Sequence, residues 1–295
     1  MTRTRPAHGL LAIYPHITGR DRQIMRLLDD HEVLTTDHIA RLFFHAPRTC
    51  RHRLGELHGL GLLDRFRFAR PGGGTDPYHW VLGHEGQRFQ AAAHGEPEPT
   101  ARASSQRIAR LSANPTLTHL LTVNEFFVRL AEHARRHPHA NLVRWWSEAA
   151  TKRFQTKVVF NPDGHGLWRV GERTVGFWLE ADTGSEPLTR VVSKLVSYRK
   201  IAPTGGPRYP VLFWLASPIR EEHLHRLLRT EYADVPTATA THDANPAQAV
   251  WLPSDGHHRV RLEQLPTFHG TNSLDNPNYR NGVLVLGPTA MDGQP

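Results

Sequence analysis

Two short runs that are apolar almost throughout, residues 174–181 (TVGFWLEA) and 211–216 (VLFWLA), constrain this chain most. Neither has a polar face to give to water, and both are short for a helix, so each reads as a strand inside a core. Between them Leu188, Val191, Val192, Leu195 and Val196 recur at helical spacing and give a helix a buried face. Upstream, Leu120, Leu121, Phe127 and Leu130 place a helix over 117–134, and residues 142–146 read as a short strand. Residues 157–160 read as a second strand ending near Asn161-Pro162-Asp163, with 168–170 a small turn or ribbon. A helix over 221–231 and a further helix-strand pair ending at 250–252 complete the series. The order is α, β, β, β, α, β with one addition, an α/β domain.

The first hundred residues read differently. Thr18 can cap a helix whose apolar face is Ile24, Leu27 and Leu28, and Thr35 or Thr36 a second, over 37–44, that buries Ile39, Leu42 and Phe43. After the turn His45-Ala46-Pro47, a third helix over 48–58 puts Cys50, Leu54 and Leu57 on one face, leaving Arg48, Arg51, His52 and Arg53 for others. Arg65-Phe66-Arg67-Phe68 alternates as a strand does, residues 70–74 (RPGGG) turn, and 78–82 return. Helix, helix, turn, basic helix and basic hairpin in this order make a winged helix-turn-helix, an all-α module with a wing. Residues 1–17 read as a flexible N-terminus, 18–93 as the winged helix, 94–105 (with HGEPEPT) as a linker, 106–267 as the α/β domain and 268–295 as an irregular tail.

Charge follows the same division. Lys and Arg number 36 against 28 Asp and Glu, and only four of the bases are lysines. The excess is +5 over residues 1–110, +5 over 111–200 and −2 over 201–295, which places a surface for a polyanion in the first two thirds. Arginine suits phosphate, although a GC-rich genome gives the same bias. A single cysteine, Cys50, excludes a disulfide framework and multi-cysteine metal sites, and it reads as a core residue. Residues 10–14 are too short for a signal-peptide core and no run approaches the roughly 20 apolar residues of a membrane span. A cytoplasmic protein with no membrane partner is expected.

The chemistry concentrates in three acids. Asp163 follows Pro162 at a strand end, and Glu180 and Asp182, two apart on another strand, project to one side. Convergence of the three would hold Mg²⁺ or Mn²⁺ and activate water against a phosphodiester, with Lys194 on the next helix offering positive charge. Each acid taken alone caps or ends an element. Glu125 or Glu148 would supply a further acid, and Trp145-Trp146 reads as one core and one flanking residue. Six histidines, His84, His94, His119, His133, His137 and His139, show no tight metal-ligand spacing.

With Pro162-Asp163, Glu180 and the αβββαβ order, the second domain resembles the PD-(D/E)xK nuclease superfamily. The superfamily's lysine two residues after the central acid is here Asp182, and the likeness nominates Lys194 in its place. By the winged-helix likeness Arg48, Thr49, Arg51, His52 and Arg53 face DNA, and Arg65, Arg67 and Arg70 lie against phosphates. The whole, above all residues 177–186 (FWLEADTGSE) with Lys194-Leu195 and Tyr198, resembles the replication-relaxation family of actinobacterial and Gram-positive plasmids and mobile elements. That resemblance implies a double-stranded DNA-binding protein of replication, relaxation or mobilisation whose nuclease-like domain is degenerate. Two alternatives stand beside it: a Mg²⁺-dependent endonuclease, and a non-catalytic accessory that recruits replication or mobilisation proteins. A homodimer is compatible with all three. No GxxxxGK[ST] loop is present, and no paired histidines face a helical tyrosine as a relaxase requires.

Overall fold

A computed structural model describes residues 13–70, 72–154, 160–201, 203, 205–231 and 234–270. The chain divides into two compact units between Leu117 and Thr118.

The first unit begins with helix α1, Gly19–His31, closed by a reciprocal cap: Asp21 N donates to Thr18 Oγ1 at 3.2 Å and Thr18 N to Asp21 Oδ2 at 2.7 Å. Strand β1, Leu34–Thr35, leads into α2, Thr36–Phe43, capped in the same way by Thr35 and His38. Pro47 opens α3, Pro47–Gly59, where its missing N–H costs nothing. Ile24, Leu27, Leu28, Ile39, Leu42, Cys50, Leu54 and Leu57 are all buried, as their spacing requires. Phe43 is not, and Phe44 takes the buried place after it.

Strands β2, Leu63–Phe66, and β3, His79–Leu82, form an antiparallel hairpin, and β1 joins the far side of β3, so the sheet order is β1-β3-β2. The hairpin starts earlier than its alternation indicated because Leu63, paired with Leu82, is fully buried. At its tip Gly72, Gly73 and Gly74 all take the left-handed region, which side chains other than glycine disfavour.

Two helices follow that the sequence pattern did not single out: α4, His84–His94, and α5, Ala101–Ser112. Residues 94–105 are therefore not one linker. Gly95 ends α4 in the left-handed conformation, and Thr100 caps α5 by accepting from Ala103 N at 3.2 Å. The prolines of the segment mark only the turn between two helices, and the boundary between units falls beyond α5.

The second unit starts on α6, Leu117–Arg136, and continues through β4, Ala140–Ser147, and α7, Glu148–Phe154. Then come β5, Gly164–Val170, β6, Arg173–Asp182, two short helices α8, Leu188–Ser193, and α9, Leu195–Tyr198, and β7, Val211–Leu215. Helix α10, Pro218–Glu231, and strands β8, Thr237–Thr241, and β9, Leu252–Pro253, follow. The six strands lie in chain order. β4, β5 and β6 are antiparallel, β6, β7 and β8 are parallel, and β9 is antiparallel again.

One expected strand falls mostly outside the described residues, and another needs correction. Residues 157–159 lie outside the described residues, and Phe160 is buried but not in a strand. The strand before β6 is instead β5, of which 168–170 form the end rather than a separate ribbon. Gly164 and Gly166 hid it, because glycine weakens a strand reading. Their bareness has a packing cause: a Cβ on Gly166 would stand 2.1 Å from the Phe177 ring, and one on Gly164 would stand 2.7 Å from Phe127.

β6 divides the core between its two faces. Phe177 meets Phe126 and Phe127 of α6, while Trp178 joins Val191, Val192, Leu195 and Tyr198 of the short helices and Leu224 and Leu228 of α10. Glu180 and Asp182 share the face of Trp178, so both acids enter an apolar layer. Trp145 and Trp146 are both buried, the first stacked on Phe127 and the second against His165.

The first unit rests on one ion pair, in which Arg53 of α3 clasps the fully buried Asp21 of α1 through Nε at 3.0 Å and a terminal nitrogen at 2.6 Å. Burial pushes the Asp21 carboxyl up, but Arg53 and Thr18 more than reverse this and hold it below the ordinary range. A lowered folded pKa contributes stability that is present above the unfolded value and lost as pH falls through the folded one. Asp21→Asn is therefore expected to cost about 3 kcal/mol at neutral pH, in line with breaking a buried pair. Urea unfolding of both proteins at pH 7 and pH 3 checks it, the difference shrinking at the acid end.

Candidate nucleic-acid interface and carboxylate site

On α3, Arg48, Thr49, Arg51 and His52 are exposed on the side away from Cys50, Leu54 and Leu57. Arg48 and Arg51 have no ion-pair partner among the described residues, and His52 lies 3.5 Å from Glu56 one turn on. Arg53 is placed otherwise. Besides Asp21 it donates to the His16 carbonyl at 2.7 Å and to Glu56 at 2.7 Å, so its guanidinium locks two helices together. No local pattern signals this, because the partner lies 32 residues away.

The hairpin carries two arginines without acid partners among the described residues. The Arg65 and Arg67 guanidinium carbons lie 4.0 and 4.9 Å from the centre of the Tyr78 ring, and Arg65 also lies 5.4 Å from that of Trp80. Arg67 donates to Thr75 at 3.2 Å, whereas Arg70 is paired with Asp76 at 2.7 Å. Tyr78 was not singled out by sequence, although an aromatic across the hairpin from alternating arginines is a readable signal.

In the second unit the structure brings Asp163, Glu180 and Lys194 together and adds two residues. Asp163 Oδ2 accepts from the Ala181 amide at 2.8 Å, which fixes the turn before β5 onto β6. Its Oδ1 lies 3.2 Å from Nε2 of His119, in the first turn of α6. Glu180 accepts from Lys194 at 2.6 Å and from the Tyr198 hydroxyl at 2.6 Å. The expected single helix breaks between α8 and α9 at Lys194, the residue that points to Glu180. His119 and Tyr198 lie too far from the acids in sequence for spacing to connect them.

Asp182 leaves this group. Both its oxygens are held by Arg220 of α10, whose guanidinium also donates to the Glu186 carbonyl, so Asp182 anchors a helix instead of facing a shared ion. Glu125 and Glu148 are likewise elsewhere, paired at 2.6 Å with Arg129 and Lys152 on their own helices. No group of three or more His, Cys, Asp or Glu among the described residues is arranged to hold a metal ion. The carboxylate trio therefore does not fit Mg²⁺ or Mn²⁺ as placed.

Burial, and then the nearby Asp163, push the Glu180 carboxyl up to about 8 against the pull of Lys194 and Tyr198. The hydrogen bond with Asp163 raises His119 despite its partial burial. Burial lowers the Lys194 ammonium, but Glu180 and Asp163 reverse this and leave it raised. Burial pushes the Cys50 thiol up to about 12, an inert core group.

A helical unit with a three-stranded sheet, followed by a mixed α/β unit with a buried acid-base cluster, defines a two-unit α/β protein. The replication-relaxation profile matches residues 25–210, more than half of the chain and part of each unit, and the chain belongs to the replication-relaxation family. Membership ties it to the replication or relaxation of plasmids or mobile elements. Comparison with curated proteins and with solved structures returns no match. Among the described residues, no helix is long and apolar enough to cross a membrane.

Glu180 gives a pH signature. A carboxyl whose folded pKa is raised loses stability as pH climbs from the unfolded value towards the folded one, here from the ordinary glutamate range to about 8. Glu180→Gln has no such proton to lose, so its stability relative to the parent is expected to rise across that interval, as measured by urea unfolding at pH 5, 6, 7 and 8.

Proposed function

We propose that this protein binds double-stranded DNA through its first unit, a winged helix-turn-helix, in the replication or relaxation of a plasmid or mobile element in the cytoplasm. One observation carries the reading. α3 turns Arg48, Thr49, Arg51 and His52 to solvent on the flank of a β1-β3-β2 sheet whose hairpin holds Arg65 and Arg67 against Tyr78. Helix and wing together offer positive charge to a groove and to the adjoining phosphates. Arg53 and Arg70, each committed to an acid, are positioning residues in this reading.

The second unit reads as a PD-(D/E)xK-like domain. Its strand order and the meeting of Asp163, Glu180 and Lys194 support the likeness. The engagement of Asp182 with Arg220, and of the remaining carboxylate oxygens with protein donors, favours a domain that has exchanged cleavage for binding. Replication or mobilisation proteins, and a second copy of the chain, are the partners this reading provides for.

Arg48→Ala with Arg51→Ala is expected to weaken duplex binding about tenfold or more at fixed salt and to reduce its salt dependence, as lost phosphate or base contacts do. Equal affinity in the double variant would remove α3 from the interface. Incubation of the protein with supercoiled plasmid and Mg²⁺, Mn²⁺ or EDTA is expected to leave the plasmid intact. Metal-dependent cleavage that disappears in Asp163→Asn and Glu180→Gln would establish the endonuclease instead.

A further inference from the structure

In the Asp163–Glu180 cluster the acceptors are taken and the donors are open. Asp163 Oδ1 faces His119 and Oδ2 the Ala181 amide, while Glu180 Oε1 holds Tyr198 and Oε2 holds Lys194. The acids lie inward: the Glu180 side chain is 2% exposed and that of Asp163 12%, against 35% for His119 and 37% for Lys194. His119 and Lys194 are near enough for each charge to act on the same two acids. Of these four side chains, solvent therefore reaches the imidazole and the ammonium more than the two acids. Lys194 keeps two N–H groups beyond its bond to Glu180, and a protonated His119 keeps Nδ1–H beyond its contact with Asp163.

A divalent cation requires oxygen ligands directed at it, and here the acid oxygens are engaged by protein donors while the more exposed groups carry nitrogen. We infer that His119 and Lys194 form a metal-independent binding site for a backbone phosphate of DNA, with Asp163 and Glu180 as the buried acids whose hydrogen bonds position them. A phosphodiester oxygen presents the acceptors that the cluster lacks, and a charge-assisted hydrogen bond to it is among the stronger kinds. The wing and α3 take no part in this site, which is built wholly within the second unit. The inference rests on DNA as the partner, but not on which surface of the first unit binds it.

The test uses the full chain and a labelled duplex in EDTA. His119→Gln keeps a donor for Asp163, and Lys194→Gln keeps one for Glu180, so each removes charge with little change of shape. The double variant is expected to bind about tenfold more weakly, with a salt slope smaller by about one, and Lys194→Arg to retain parental binding. Millimolar inorganic phosphate at constant ionic strength is expected to leave the difference between parent and double variant in place. The inference is overturned by equal affinity and slope in EDTA, by a difference that arises only with Mg²⁺ or Mn²⁺, or by a difference that free phosphate erases. Arg48→Ala with Arg51→Ala, measured alongside, reports on the winged-helix reading separately: its failure with the His119 and Lys194 loss intact would leave this site standing.

Discussion

Carrying Glu180 into an apolar layer is the costly act around which the second unit is arranged. A carboxylate taken out of water loses several kcal/mol unless its oxygens are satisfied. Lys194 and Tyr198 satisfy one each, from helices that meet at Lys194 itself. Because Trp178 and Glu180 share a face, the same two helices must cover an indole and answer an acid. Asp182 shows the same constraint two residues along the strand, where a guanidinium from α10 reaches both oxygens.

The first unit has a buried acid of its own. The Asp21 carboxylate accepts from the Thr18 amide in the cap of α1 and from Arg53 of α3, so one acid closes a helix start and ties it to the basic helix. Arg48 and Arg51 are open because Arg53 is not. The basic face is narrower than its arginine count implies, and correspondingly better held.

Most of the first unit was legible in sequence because its signals are local: threonine caps, an apolar face at 3.6-residue spacing, a proline-containing turn before the basic helix and a glycine turn in a hairpin. The capping residues and buried positions follow directly from these. α4 and α5 were not legible, since their polar faces and the prolines between them mimic a linker. In the second unit, the apolar runs located β6 and β7 but glycines concealed β5. The acids at 163 and 180 and the lysine at 194 were visible by type. Which acid has which partner depends on contacts 14 to 44 residues apart, and no spacing rule reaches that far.

Gly164 and Gly166 bear on how such a sequence can drift. The ring of Phe177 occupies the volume that any side chain at 166 would need, and that of Phe127 does the same at 164. Neither glycine is free to change alone. A lineage that gains a methyl group at 166 has to surrender bulk at 177 in step with it, so size at these paired positions is inherited as a unit. Among divergent members of the family, β5 will be traced more readily by that compensating variation than by its own hydrophobicity.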